Sequence, residues 1–313
     1  MNVALTNACN LNCPYCFAWQ IRKEDSYWIT DEQFANILNF LKVSNEREVR
    51  LIGGEPTLHP RFVQLLNKVI NDDFFNAVLV FSNGTFSDDV AMALKMASFV
   101  KRVGVLINVN SPDVVGVKAW ERIERNLATI SNSPVNITLG LNVYDYNQQF
   151  DFIFDLARKY RVERVLRLSV VAPTHEEKNK AVFEYYKPYK EVVMKIYREA
   201  RKEGLYVGPD CSFIPLCLFS KEELFELGAN TPGIFDKIEC KPVLDVMPDG
   251  TVIRCFGMPE MRTNIGSHKN AQEIFDYFRQ EERAKPSMSG AECGSCPVYE
   301  FTRFGCGCKA LRR

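Results

Sequence analysis

Three cysteines, Cys9, Cys13 and Cys16, fall within eight residues of the segment NACNLNCPYCFAW, in the loop after the first apolar run of the chain. A structural zinc closes its shell with four protein ligands, and iron–sulfur clusters normally take four cysteines. Three thiolates grouped locally therefore leave one iron of a cluster without a protein ligand, and catalysis needs an open coordination position. The missing fourth cysteine is read as a position reserved for a substrate or cofactor. The alternative is a structural site completed by a distant Cys or His. A second group, Gly53-Gly54-Glu55-Pro56, follows the run VRLI. Two glycines let backbone approach a ligand closely, and Glu55 offers a carboxylate to an ammonium. Taken alone, these four residues are a turn.

The chain has eleven cysteines in 313 residues; the other eight are Cys211, Cys217, Cys240, Cys255, Cys293, Cys296, Cys306 and Cys308. None falls between residues 17 and 210, so they cluster by role. The odd count and an opening, MNVALTNACN, without a charged n-region disfavour a secreted disulfide framework. Cys240-x14-Cys255 contains Gly250-x4-Cys255, and a Pro248-Asp249-Gly250 turn lets both cysteines face one centre. Cys293-x2-Cys296 is a pair of the kind that grips one metal. With Cys306-x-Cys308 and Cys211-x5-Cys217, the eight suffice for two four-thiolate sites or for one site with spare thiols. A zinc ribbon is the alternative. His59, His175 and His268 have no metal-ligand spacing to one another and are expected at the surface or at caps.

The elements that must position these groups alternate. Strands are predicted at Val3–Leu5, Val49–Ile52, Ala77–Phe81, Arg102–Val109, Asn136–Val143 and Arg164–Val170. Helices are predicted at Asp31–Lys42, Arg61–Asn71, Asp88–Met96, Val117–Ile130 and Gln148–Lys159. Thr30 is the expected N-cap of the first helix, whose Phe34, Ile37, Leu38 and Leu41 share a face. Strands alternating with helices imply a parallel sheet, closed as a full or partial (β/α) barrel or opened as a doubly wound sheet. In either form the cysteine loop lies at the carboxyl end of the sheet, where active sites collect. A helix from His175 to Glu203 is expected to kink or split at Pro188. After Gly204 the chain becomes rich in Cys, Gly and Pro, which places a boundary between residues 1–204 and a metal-dependent region, 205–313. Lys+Arg and Asp+Glu both total 39, which disfavours a basic nucleic-acid face. No apolar run reaches 18 residues, so no membrane span is expected and a cytoplasmic location is.

Cys9-x3-Cys13-x2-Cys16, with Tyr15 before the third cysteine, resembles the signature of the radical S-adenosylmethionine (radical SAM) superfamily, and GGEP resembles that family's GGE motif. The resemblance implies a partial (β/α)6 barrel with a small Cys-rich α+β extension. It implies a [4Fe–4S] cluster on Cys9, Cys13 and Cys16, with the amine and carboxylate of S-adenosylmethionine on the fourth iron. Electron transfer would cleave the sulfonium to a 5'-deoxyadenosyl radical that abstracts a hydrogen atom. Gly53, Gly54, Glu55 and Pro56 would contact the methionine amine. Ser82, Asn83, Asn108, Asn110, Ser111, Asn142 and Arg167, at the ends of the third to sixth strands, are the remaining cofactor candidates. The late cysteines resemble SPASM and twitch extensions, which hold auxiliary [4Fe–4S] clusters. The pattern departs from SPASM after Cys296, leaving one or two clusters open. Cys211 and Cys217 fit that pattern least well and are candidate hydrogen-atom donors. Modification of a ribosomally made peptide is the expected chemistry, with a flavodoxin- or ferredoxin-like electron donor. The chain begins directly at the first strand, so no N-terminal peptide-recognition domain is expected. Conversion of a small molecule is the alternative, and a non-enzymatic zinc or electron-transfer protein is the alternative of another class.

Overall fold

The computed structural model describes residues 1–16, 18, 26–172, 180–210, 214–231, 240–284 and 308. Its strands are β1 (Asn2–Ala4), β2 (Glu48–Ile52), β3 (Ala77–Ser82), β4 (Arg102–Asn108), β5 (Asn136–Val143), β6 (Val165–Val170), β7 (Tyr206–Pro209), β8 (Asp245–Val246), β9 (Thr251–Ile253) and β10 (Arg262–Asn264). The helices longer than one turn are α1 (Asp31–Val43), α2 (Phe62–Ile70), α3 (Asp88–Ala97), α4 (Val117–Ser131), α5 (Asp151–Lys159), α6 (Val182–Tyr186), α7 (Lys190–Lys202), α8 (Lys221–Asn230) and α9 (Ala271–Ala284). β1 to β7 run parallel in chain order. β8 joins the free side of β1, also in parallel, and β9 and β10 follow as an antiparallel meander. This is the parallel sheet of a partial barrel with an antiparallel C-terminal extension.

Period-two alternation decides which face is packed. On β4, β5 and β6 the residues Val103, Val105, Ile107, Ile137, Leu139, Leu141, Leu166 and Leu168 are buried in the main core together with the helices. The other face of the same strands carries Asn108, Gly140, Asn142, Arg167 and Ser169. A polar row on the concave side of a parallel sheet is of no use to the core and of use to a ligand. Thr30 caps α1 as expected and forms a capping box with Gln33.

The six predicted strands are present, each within one residue of its expected ends. α5 starts three residues late, because Gln148 is spent on the loop: its side chain accepts from Tyr144 N–H at 2.9 Å and donates to the Asn142 carbonyl at 3.0 Å. The long helix is split, α6 and α7 being joined by a 3-10 turn through Pro188. His175, at its expected start, lies outside the described residues. Two strands went unforeseen, β7 and the short antiparallel β10. β7 is four residues long, ends in Pro209 at the sheet edge, and extends the parallel run past residue 204. The sheet also continues through β8 on the opposite side, so the expected boundary separates compositions and not sheets. His59, expected at a surface or cap, is a buried C-cap, with Nε2 3.0 Å from the Ile29 carbonyl. Among the described residues no helix is long and apolar enough to cross a membrane.

The seam between β1 and β8 contains a buried polar pair. Asn2 stands opposite Asp245, and its amide donates to Asp245 Oδ1 at 2.7 Å. Asp245 is 2% exposed, and burial pushes its carboxyl up to about 7 against the pull of Asn2 and the Phe256 N–H. A raised carboxyl pKa contributes stability that is full below the unfolded value and is lost as pH rises through the folded one. Urea unfolding should therefore show the Asp245→Asn variant close to wild type at pH 4. At pH 8 it should be more stable, by up to about 4 kcal/mol; parallel pH profiles would contradict this.

Candidate active site

The cysteine loop is held by hydrogen bonds that carry the β1–β2 pairing beyond the strands. Leu5 N–H donates to Ile52 O at 2.9 Å, Gly54 N–H to Thr6 O at 2.8 Å and Glu55 N–H to Ala8 O at 2.8 Å. A Cβ on Gly53 would meet Thr6 O at 2.3 Å, and one on Gly54 would meet Ala8 O at 2.4 Å and Asn7 O at 2.5 Å. The sequence reading gave the two glycines to a ligand's approach; the structure gives that space to the backbone of the cysteine loop. Asn7 and Thr6 complete the loop's base, accepting from Tyr27 N–H at 3.0 Å and donating to Tyr27 O at 2.7 Å respectively.

Glu55 is 1% exposed and fastens three neighbouring elements. Its Oε1 accepts from Thr57 N–H at 3.2 Å, from the Thr57 hydroxyl at 2.5 Å and from the Ser82 hydroxyl at 2.9 Å, and its Oε2 accepts from Asn83 N–H at 2.7 Å. Glu55 thereby caps a 3-10 turn that begins at Pro56. Burial pushes its carboxyl above the ordinary range, opposed by these donors.

Asn83 reaches from β3 to the loop. Its amide donates to Asn10 Oδ1 at 2.9 Å and lies 3.9 Å from Cys9 Sγ. Asn110, past the end of β4, is 3% exposed, and its amide donates towards Cys13 Sγ at 3.6 Å. Tyr15 donates its hydroxyl to Asn110 Oδ1 and stacks on Tyr144, ring centres 4.9 Å apart. Burial, then the neighbouring Cys13, push the Tyr15 hydroxyl up, so it stays protonated and a donor. The side chains of Asn83 and Asn110 thus aim N–H groups at two of the three sulfurs.

Across the concave face, Asn108, Gly140 and Arg167 stand in register on adjacent strands. Gly140 leaves room for Arg167 Nη1 to donate to Asn108 Oδ1 at 2.7 Å, since a Cβ there would meet that oxygen at 2.7 Å. Arg167 also pairs with Asp210 just beyond β7. One row further, Ser169 donates to Asn142 Oδ1. Ser111, the last of the candidates, starts a one-turn helix, Pro112–Val115, through its carbonyl and makes no side-chain cap.

In the extension, Cys240 and Cys255 share one neighbour, Arg254, whose guanidinium lies 3.6 Å and 3.8 Å from their sulfurs. Cys308 is buried, donates its N–H to the Tyr186 hydroxyl at 3.0 Å, and is close enough for its charge to act on Cys255. Desolvation pushes the Cys255 thiol up to about 12, with Arg254 pulling the other way. Cys217 is exposed on a 3-10 turn before α8. Cys211, Cys293, Cys296 and Cys306 lie outside the described residues. Ile253 and Phe256 pack with Ala4, Ala18 and Ile52, and Cys16 lies against this cluster, so the extension covers the floor of the cysteine loop.

Sequence reasoning missed Asp210, Tyr144, Arg254 and Glu282. Arg254 sits beside Cys255 in the chain, a signal that could have been followed. The others depend on pairings between elements that no local pattern shows. Among the described residues no three His, Cys, Asp or Glu side chains converge as a single ion requires. A cube places each thiolate on a different iron and needs no such convergence. Three soft thiol donors with amide N–H groups aimed at two of them fit an iron–sulfur cluster.

The Gly54→Ala variant should lose about 1–3 kcal/mol of stability, since the new methyl group meets backbone and not a pliable side chain. It should also bind less iron per chain after anaerobic purification. Gly228→Ala, where nothing lies within 4 Å, is the control and should keep its iron. Equal iron in both would contradict the role given to the glycines.

The comparisons agree with this geometry. The "Probable GTP 3',8-cyclase" of Methanothermobacter marburgensis is 26% identical over 163 residues, 49% of this chain and 52% of that protein. The "GTP 3',8-cyclase" of Alkaliphilus oremlandii is 30% identical over 115 residues, 36% of each. The chain spans about half the length of the first of these relatives and about a third of the second. Two solved structures share the fold over 97% of this chain. One is anSMEcpe with bound AdoMet, with TM-score 0.66, 19% identity and 88% of that chain covered. The other is Streptococcus suis SuiB bound to S-adenosylmethionine, with TM-score 0.64, 13% identity and 72% of that chain covered. Residues 3–157 match the family model described as the Radical SAM superfamily; with the cysteine triad at the mouth of its parallel sheet, the chain belongs to the radical SAM superfamily of enzymes.

Proposed function

We propose that the protein uses S-adenosylmethionine and a triad-bound [4Fe–4S] cluster to modify a ribosomally made peptide, with an auxiliary cluster in the extension. When bound, these groups supply one-electron cleavage of the sulfonium and abstraction of a hydrogen atom from the substrate. Cys9, Cys13 and Cys16 would hold the cluster and leave it an open coordination position for the cofactor. Asn83 and Asn110 donate to sulfur, which offsets thiolate charge and favours the reduced state. Among the described residues Glu55 Oε2 has one donor, Asn83 N–H, and its remaining lone pair would accept from the methionine ammonium; a buried carboxylate held above its ordinary pKa gains most from a cation. Asn108, Asn110, Asn142 and Arg167 line the concave face on which the rest of the cofactor and the substrate would lie. In the extension Cys240, Cys255 and Cys308 are the auxiliary ligands; Cys255 lies in the chain between Ile253 and Phe256, which pack in the cluster that Cys16 borders, and this suits an electron acceptor for a substrate radical. A flavodoxin- or ferredoxin-like protein supplies the initiating electron.

One observation supports the peptide reading: the likeness to SuiB, also solved bound to precursor peptide SuiA, covers the extension as well as the core. The sequence likeness to GTP 3',8-cyclases covers about half of this chain, and it favours a second reading in which a small molecule such as GTP is the substrate. Mass spectrometry of reduced enzyme with S-adenosylmethionine, offered either GTP or short peptides encoded beside the gene, separates the two. The expected result is a mass or stereochemical change in one peptide and unaltered GTP; GTP consumption with every peptide intact overturns the peptide reading.

A further inference from the structure

The most deeply buried cation among the described residues stands between two candidate cluster ligands. Arg254 is 0% exposed, immediately after β9. Its Nε bonds to Glu282 of α9, itself buried. Its Nη2 donates to the Cys240 carbonyl at 2.7 Å and lies 3.6 Å from Cys240 Sγ, and its Nη1 lies 3.8 Å from Cys255 Sγ. The backbone is fixed as well: Arg254 N–H donates to Met261 O at 2.9 Å, and its carbonyl accepts from Val243 N–H at 2.9 Å and Leu244 N–H at 3.2 Å. The fork is therefore aimed from both ends.

A buried guanidinium–carboxylate pair stabilises little by itself, because each ion loses several kcal/mol of hydration. Neutral thiols add only weak acceptors. Thiolates bound to iron change the balance, since both Nη groups then make charge-assisted N–H···S bonds to a net negative group. Burial works against the charge on Arg254, but Cys240, Cys255 and Glu282 together hold it firmly protonated. An arginine serves here where a lysine does not, because one planar fork reaches two sulfurs and a carboxylate at once.

We infer that Arg254 is a positioning residue for the auxiliary cluster, fixing Cys240 and Cys255 and favouring the reduced state by donating to both sulfurs, with Glu282 setting the size of that effect. The inference rests on the auxiliary-cluster reading above. Reduction adds one electron and no proton, so a fixed positive charge raises the midpoint potential and a fixed negative charge lowers it.

The test is an EPR-monitored potentiometric titration of the full chain carrying Cys9→Ala/Cys13→Ala/Cys16→Ala, which leaves the auxiliary centre as the one signal. Three further variants are made on that chain: Glu282→Gln, Arg254→Lys and Arg254→Gln/Glu282→Gln. The midpoint should rise in Glu282→Gln, which keeps Arg254 and removes its opposing charge. It should fall in Arg254→Lys, which cannot reach both sulfurs, and the double variant should lie below Glu282→Gln. If the Arg254 variants lose the cluster, Glu282→Gln decides alone. A midpoint unmoved in Glu282→Gln overturns the inference and leaves the auxiliary cluster standing. A triad variant without iron and acid-labile sulfide overturns both.

Discussion

The site depends on a close approach of two backbones. Past the end of β1 the chain no longer forms a strand, yet Gly54 and Glu55 continue to donate to Thr6 and Ala8 as if the ladder went on. That continuation fixes the entry to the cysteine loop at Thr6 and Ala8, and the approach is open only because Gly53 and Gly54 carry no Cβ. Glu55 then carries the constraint sideways, since the carboxylate that caps the turn at Pro56 also ties down Ser82 at the end of β3 and Asn83 just past it. Asn83 returns to the loop at Asn10 and Cys9. Triad, glycine motif and third-strand turn form one hydrogen-bonded circuit, so their order in the sequence reflects neighbouring strand ends in space.

The second element of the account is sheet register. A parallel sheet packed under helices on one side leaves the other side to be filled by side chains or by a ligand. Here β4, β5 and β6 place amides, a hydroxyl and a guanidinium in two rows on that side, while the alternate residues are Val, Ile and Leu. The extension shields the same concavity at the β1 side with Ile253 and Phe256. The buried Asn2–Asp245 pair makes this seam specific, because it is satisfied in one register of β8 against β1.

Much of this was legible in the chain. The triad needs no alignment to be read as an incomplete cluster shell, and β-branched runs between amphipathic stretches gave all six core strands. Thr30 and Pro188 marked a helix start and a helix break by local chemistry alone. The fate of Gly53 and Gly54 was not legible, because a glycine pair signals a close approach without saying what approaches. β7 escaped for want of length, with Val207 its one buried aliphatic residue. Asp210 acts through Arg167 on β6 and Tyr144 through Tyr15 in the cysteine loop, and Arg254 reads as a solvent-facing strand end while being fully buried. Pairings of this kind are set by register and crossover, which a single sequence does not display.

The central claim is that the triad holds a cluster with one iron left for S-adenosylmethionine. EPR spectroscopy of the anaerobically reduced full chain, before and after S-adenosylmethionine is added, tests it most directly. The account predicts that the spectrum changes on addition, that the change is absent in Cys13→Ala, and that 5'-deoxyadenosine accumulates only where the spectrum changes. A reduced triad cluster whose spectrum is the same with and without S-adenosylmethionine would contradict it.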